Sequence, residues 1–465
     1  MKRAFYSFGR GATVPVEMKR WESVQRIVVR VVALALAVLG TGGLQAQART
    51  PEVTVIRAGQ LFDGTSESMR SNISIVIRGG RITEVGGNVQ VPAGAQVIDL
   101  SGWTVMPGFI DLHTHLNGDP TRGFTESQFR NFPGYAAIVG SKNARTTLLA
   151  GFTTVQNLGA REFADVALKQ AIDRGIVPGP RMFTAGKSLT ITGGHCDRGG
   201  YRPDLDKEPT WQEGIFNGAD EARAAVRYQI KYGADVIKVC GTAGVMSAGT
   251  DIGPAQVTLE EMKAVTEVAH MLNRRVTVHA HGKEGILIAV RAGVNSIQHG
   301  SVIDDEVIAE MKRHGTYLIP TMMAYDFVYR EAQEGRMAPH SAQKAKEVTP
   351  LARASHRKAI AAGIPIAMGT DAGVYDHGQN ADEFRLLVEA GMTPAGALLA
   401  ATRQAANAMG RLDVLGTIER GKFADLVAVK GNPFQQITVL RDVGFVMKEG
   451  VVYKRDGVPA EMLRP

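Results

Sequence analysis

The stretch Met106-Pro107-Gly108-Phe109-Ile110-Asp111-Leu112-His113-Thr114-His115 joins an apolar, strand-like run to a polar tip carrying two histidines two residues apart. Residues at that spacing on a strand point to the same side, so both imidazoles can reach one metal ion. A lone His-x-His is equally at home as two ordinary polar residues at a strand end, so its surroundings have to decide. Downstream, further apolar runs recur: 153–158, 182–185, 236–240, 276–280, 296–298, 317–320 and 364–368. Between most of them lie stretches with helical spacing, among them 219–232, 259–272 and 305–314. Gly233 and Gly315 follow two of these as helix stops, and Thr393-Pro394 caps and starts a helix expected to run to Met409. Eight strands alternating with helices over some 300 residues predict an α/β fold with a (β/α)8 TIM barrel at about residues 105–412.

Both flanks of that region have a different texture. Residues 53–57, 73–78, 82–85 and 97–100 are short β-branched runs between turns such as Gly79-Gly80 and Gly86-Gly87. Residues 426–429, 445–448 and 451–454 repeat the pattern around Gly431-Asn432-Pro433 and Glu449-Gly450. Residues 49–104 and 413–465 are therefore expected to build one smaller β-sandwich lobe from the two flanks.

In such a barrel the chemistry lies where the strands end. The fourth run, Val236-Ile237-Lys238-Val239-Cys240, places a lysine inside an apolar parallel strand, where an unpaired ammonium costs several kcal/mol. Lys238 has either lost its proton or been modified, or else it snorkels to the strand mouth or pairs with a carboxylate. The fifth run closes on His279-Ala280-His281-Gly282, the sixth on Gln298-His299-Gly300 and the eighth on Gly369-Thr370-Asp371. Singly, each of these histidines reads as a satisfied core residue and Asp371 as a helix cap. Taken together, they bring nitrogen and oxygen ligands to the tops of five strands. That set suits two divalent ions, which make a nucleophile at neutral pH and polarise a carbonyl.

The 465 residues are 44% hydrophobic, 21% charged and 6% aromatic, with 53 glycines, a composition that excludes a disordered or fibrous chain. The net charge of +7 is misleading, because residues 1–48 hold seven basic and two acidic groups and carry +5 of it. The remaining +2 gives no footprint for nucleic acid. Residues 1–48 have the layout of a secretory signal peptide: basic groups at Lys19, Arg20 and Arg26, an apolar run at 31–39, and Ala46-Gln47-Ala48 before the expected cleavage. Met18 is an alternative start. The expected product is secreted or periplasmic, with no stable membrane association after cleavage. The two cysteines, Cys196 and Cys240, build no disulfide framework; a single bridge between them is permitted in an oxidising compartment but cannot be read from sequence, and two separate thiols are the expectation.

With these residues in place, the sequence resembles the amidohydrolase superfamily of binuclear metal hydrolases over about residues 52–455. The resemblance implies His113 and His115 on a first metal with Asp371, His279 and His299 on a second, and an N-carboxylated Lys238 bridging them. It also implies that Asp371 moves a proton from the attacking hydroxide to the leaving nitrogen. These ligands accept zinc, manganese or cobalt, and zinc is the expectation. On strand five the family's spacing favours His279 as the ligand and leaves His281 facing substrate.

A closer resemblance is to the imidazolonepropionase-like and prolidase-like branch, which includes dipeptide and acyl-amino-acid carboxypeptidases and ochratoxin-degrading amidohydrolases. Its carriers are Thr192-Gly193-Gly194-His195, Gly244-Val245-Met246-Ser247, His279-Ala280-His281-Gly282 and the stretch 380–394. His195 is then either a holder of the oxyanion or substrate, or a loop histidine of local role. Tyr228 and Arg198 are either grips on a substrate carboxylate or solvated surface groups. The expectation is a metal hydrolase that releases a C-terminal amino acid from a dipeptide or N-acyl amino acid, ochratoxin A included. Its partner is a small amide substrate, and a homo-oligomer is expected because oligomers are common among relatives. The rival readings are a cyclic-amide hydrolase of imidazolonepropionase type and a non-catalytic scaffold.

Overall fold

The computed structural model describes residues 53–118, 131–197, 202, 204, 208–247 and 250–462. The expected signal peptide and Arg198 lie outside these residues. The first four strands are β1 (Val53–Leu61), β2 (Arg70–Arg78), β3 (Arg81–Gly86) and β4 (Gln96–Pro107). Seven more follow in the middle of the chain: β5 (Phe109–Thr114), β6 (Phe152–Asn157), β7 (Arg181–Thr184), β8 (Val236–Cys240), β9 (Arg275–Ala280), β10 (Ser296–His299) and β11 (Tyr317–Ile319). The last are β12 (Leu426–Val429), β13 (Phe445–Lys448), β14 (Val451–Arg455) and β15 (Val458–Pro459).

The flanking strands form one eight-stranded sheet in the order β15-β14-β13-β12-β4-β1-β2-β3. Its seam is β4 against β12, antiparallel, with Leu426 opposite Pro107. Instead of two facing sheets, the lobe is hydrogen-bonded as one continuous sheet. Its β3 side is drawn back towards the β12 side, because Ile82 and Gly80 exchange backbone bonds with residues 421–424 just ahead of β12. The isoleucines of β1 and β2, with Leu426, Phe445 and Met447, fill the core this makes.

The middle of the chain is mixed α/β. β5-β6-β7 form one parallel sheet and β8-β9-β10-β11 another. Every residue of β5, β6 and β8 is buried, as expected of parallel strands covered on both faces. Backbone bonds join the sheets at one margin, where Asp235 N–H donates to Thr184 O and Leu189 pairs with β8.

At the other margin the expected eighth strand is not regular: residues 364–372 make single bridges, Ile366 to β11 and Ala372 to β5. Its backbone is diverted. Met368 N–H donates to Ala400 O, Thr370 N–H to the Asp111 carboxylate, and Asp371 adopts a left-handed φ of 59°. The same bonds explain a broken helix. The expected run to Met409 is split into Pro394–Ala400 and Arg403–Ala408, because the Ala400 and Ala401 carbonyls accept from Met368 and Ile110.

Other helices stop and start where their caps dictate. Thr258 and Glu261 form a reciprocal capping box on Leu259–Met271, and Asp304 caps Asp305–His314, which ends on left-handed Gly315. Arg181 ties the lobe to the parallel strands through Asp425 and Glu449, both at 2.5 Å. No helix among the described residues is long and apolar enough to cross a membrane.

The two cysteines are not separate thiols. Cys196 and Cys240 are disulfide-bonded, with Cα atoms 6.1 Å apart. Spacing could not reveal this: 44 residues separate them, and the loop after β7 folds back along β8 through Leu189.

Candidate active site

The histidines meet at the C-terminal ends of the parallel strands. His113 and His115 leave β5 on one side, their rings 5.2 Å apart. His279 and His281 close β9, and His299 closes β10, its ring 4.4 Å from His279, 4.9 Å from His281 and 5.0 Å from His113. Strand alternation would turn His299 away from the site, since Gln298 already faces inward. A left-handed φ of 74° at His299 swings it back. His279, His281 and His299 bring their ligand atoms within 4.8 Å of one another, as do His113, His299 and Asp371. His281 thus lies closer to the ligand group than a purely substrate-facing residue requires.

Asp371 is the pivot. Its Oδ1 lies 3.3 Å from His113 Nε2 and 3.2 Å from His115 Nε2, yet this buried oxygen has no hydrogen-bond partner. Burial and neighbouring charges hold His113, His279 and His299 well below the ordinary imidazole value, so they are neutral and offer lone pairs. Lone pairs converging without a proton between them are what a divalent cation needs. Lys238, only 3% exposed, is lowered to about 7 by burial, with the Asp371 charge opposing. Its amine is poised to be neutral, the state that carboxylation requires.

Behind the ligands stands a set of residues that sequence reasoning did not single out. Gln298 Oε1 lies 2.9 Å from His113 Nδ1 while its amide nitrogen donates to Thr277. That contact selects the tautomer that leaves His113 Nε2 free. Asp111 accepts from the His113 and Thr370 amides, the Thr370 hydroxyl and the Asn380 side chain, and burial raises its carboxyl to about 6. Thr321 Oγ1 sits 2.7 Å from His299 Nδ1, and His356 bonds to the His299 carbonyl at 2.6 Å. Asp111 could have been found from its place two residues before His113 on the same strand face. Gln298 and Asn380 carried no such signal. Replacing Gln298 with Leu should weaken metal binding about 10- to 100-fold. A competition titration against a chromophoric chelator measures this, and unchanged affinity would contradict the role given to Gln298.

His281 Nδ1 is held by Ser301 Oγ at 2.7 Å and Tyr325 OH at 3.1 Å, leaving Nε2 for the cavity. His195 reaches the cluster from the loop after β7, its ring stacked 4.2 Å from that of His279 and its Nδ1 2.6 Å from Ser247 Oγ. Tyr228 is placed elsewhere, in an aromatic group with Trp211, Tyr232 and Phe163 on and around the helix Ala219–Lys231. None of these belongs to the histidine cluster.

Glu383 holds the outer wall of the site. Its two carboxyl oxygens accept from the Met322 and Met323 amides at 2.8 Å, capping the helix that carries Tyr325. Burial raises the Glu383 carboxyl to about 8, so the folded protein keeps this proton and the unfolded chain loses it near 4.5. Its contribution is full below pH about 4.5 and fades as pH rises through about 8. Glu383→Gln should therefore cost about 1–3 kcal/mol in acid, where one backbone donor loses its acceptor, and less as pH approaches 8. Urea midpoints at several pH values test it; a gap independent of pH would count against it. The other raised carboxyls, Asp111 and Asp165, are common to both proteins and cancel.

Neutral imidazoles around a buried carboxylate, set at the ends of parallel strands, form a donor set that could hold a divalent cation, as in a metal-dependent hydrolase. The amidohydrolase family model matches residues 104–454, and the chain belongs to that family. It is 33% identical to the ochratoxinase of Aspergillus niger over 430 residues, covering 88% of each chain. Among solved structures it is similar to a Xaa-Pro dipeptidase with methionine bound in its active site (TM-score 0.83, 40% identity, 86% of this chain and 100% of that one). It is also similar to a prolidase complexed with N-methylphosphonate-L-proline (TM-score 0.80, 34% identity, 87% of this chain and 100% of that one). The protein is a hydrolase acting on amide bonds.

Proposed function

We propose that this chain is a binuclear metal carboxypeptidase or dipeptidase, which hydrolyses the amide bond of a C-terminal amino acid in dipeptides or N-acyl amino acids. The observation that carries the hydrolytic reading is Asp371 Oδ1, buried and without a hydrogen bond between the His113 and His115 imidazoles. The substrate class is supported by similarity to the ochratoxinase and to the dipeptidase. In this reading the two parallel sheets and residues 364–372 close as one eight-stranded barrel. His113, His115 and Asp371 would hold one ion and His279 and His299 the other, with a carboxylated Lys238 as their shared ligand, zinc being the expected metal.

The ions would supply a nucleophile at neutral pH and a Lewis acid for the carbonyl oxygen. The chain's own residues do the rest. Asp371 accepts the proton of the attacking water through its carboxylate and hands it to the leaving nitrogen. His281 and His195, each tied through Nδ1, present their Nε2 edges to the substrate carbonyl or carboxylate. Export through the N-terminal segment is part of the proposal, and the Cys196–Cys240 bridge supports it, since disulfides persist in oxidising compartments.

The test is release of free amino acid from a panel of dipeptides and N-acyl amino acids, ochratoxin A among them, with a metal count on the same preparation. Release with about two metals per chain is the expected result. Turnover of cyclic amides alone would replace this reading with the imidazolonepropionase type. A chain that holds no metal and turns over nothing would leave a scaffold.

A further inference from the structure

The disulfide joins two positions that each adjoin the site. Cys240 ends β8 two residues beyond Lys238 and is fully buried, while Cys196 immediately follows His195 in the loop that returns from β7. Besides the neighbouring bridge, His195 itself makes two polar contacts: its amide to Gln256 Oε1 at 3.0 Å and its ring to Ser247 Oγ at 2.6 Å. Ser247 is itself held by the Gly244 amide at 3.1 Å, and a Cβ on Gly244 would lie 2.4 Å from His195 Cε1. The ring is therefore seated closely against the turn after β8, on the strand to which Cys196 is bonded. The same ring stacks on His279, their centroids 4.2 Å apart.

We infer that the Cys196–Cys240 bridge is a positioning device that fixes His195 over the His279 face of the site, so that losing it impairs substrate handling and leaves metal binding intact. The inference rests on the reading of His195 as a substrate-facing group. A bridge of purely structural value acts differently: it stabilises the whole chain by constraining the unfolded state, with no tie to His195. The two roles separate by coupling, because contacts that act through one group do not add.

The experiment compares wild type, Cys196→Ala/Cys240→Ala, His195→Ala and the triple variant. Readouts are kcat and KM for a hydrolysed dipeptide, metal content, and amide exchange of the peptide spanning 189–197. Misplacing His195 should lower kcat/KM about ten- to hundred-fold in the double variant. Metal content should stay at the wild-type value, loop exchange should accelerate, and the triple variant should be no worse than His195→Ala.

Additive losses, or unchanged kcat/KM and exchange in the double variant, overturn the inference, as do two free thiols by mass in the oxidised wild type. If the double variant does not fold, folded wild type is reduced with a water-soluble phosphine. Disulfide, phosphine and water give two thiols and phosphine oxide, and the same exchange and kinetics are read. An inactive wild type counts against the hydrolase reading alone, because loop exchange still decides the tether. A harmless His195→Ala removes the substrate-facing role and with it the inference.

Discussion

Asp371→Asn should lower turnover by about 10²- to 10⁴-fold, the range over which a positioned acid or base contributes. Asparagine keeps the size and one oxygen of the side chain, and the backbone that shapes the site is held independently. The Asp371 amide donates to His113 O at 2.7 Å, and the His115 amide to Ala372 O at 2.7 Å. What disappears is an oxygen able to take a proton. With divalent ion in excess to offset the weaker neutral ligand, the loss should appear mainly in kcat, with KM little changed. Turnover within about ten-fold of wild type would remove Asp371 from proton transfer.

Metal removal should abolish activity and destabilise the fold together. His113 Nε2 and His115 Nε2 lie 3.3 and 3.2 Å from Asp371 Oδ1, a buried oxygen with no hydrogen bond, so a cation has three donor atoms to bind. A metal present at a thousand times its dissociation constant contributes about 4 kcal/mol to the folded state, and chelation takes that away. The expected observation is loss of hydrolysis with a lowered melting temperature, both restored by divalent ion. A chelated sample with no metal by elemental analysis that still hydrolyses its substrate would refute the metal mechanism.

Much of this was legible in the sequence because the signals were local. A parallel strand buried on both faces must be apolar throughout, so Val236–Cys240 could be bounded to the residue and Lys238 stood out inside it. The flanking strands announced themselves by β-branched runs between glycine turns. What failed depended on partners far away in the chain. The eighth strand lost its regularity because its amides serve Ala400 and Asp111, and the helix after Thr393 broke because its carbonyls serve two strands. No periodicity in either segment records those debts.

The site divides in the same way. His113, His115, Lys238, His279, His299 and Asp371 could be named from strand ends. By contrast, the left-handed turn that aims His299, the Gln298 contact to His113 and the Glu383 cap are products of assembly. The cysteine pair was misread for a similar reason: its proximity is created by the Leu189 pairing with β8, not by spacing.

The seam between β4 and β12 sets the timetable of folding. Thr104 donates to the Gly431 carbonyl 327 residues further on, and Lys448 reaches back to Gly179 across 269. The early strands β1 to β4 therefore emerge from the ribosome with an open edge that nothing can cover until almost the whole chain has been made. Contacts of such long range form late and slowly. The lobe stays incomplete until β12 has been made, which delays closure of the fold. The same delay exposes an unpaired β4 edge, so a truncation that removes β12 should yield aggregates and not a smaller soluble protein.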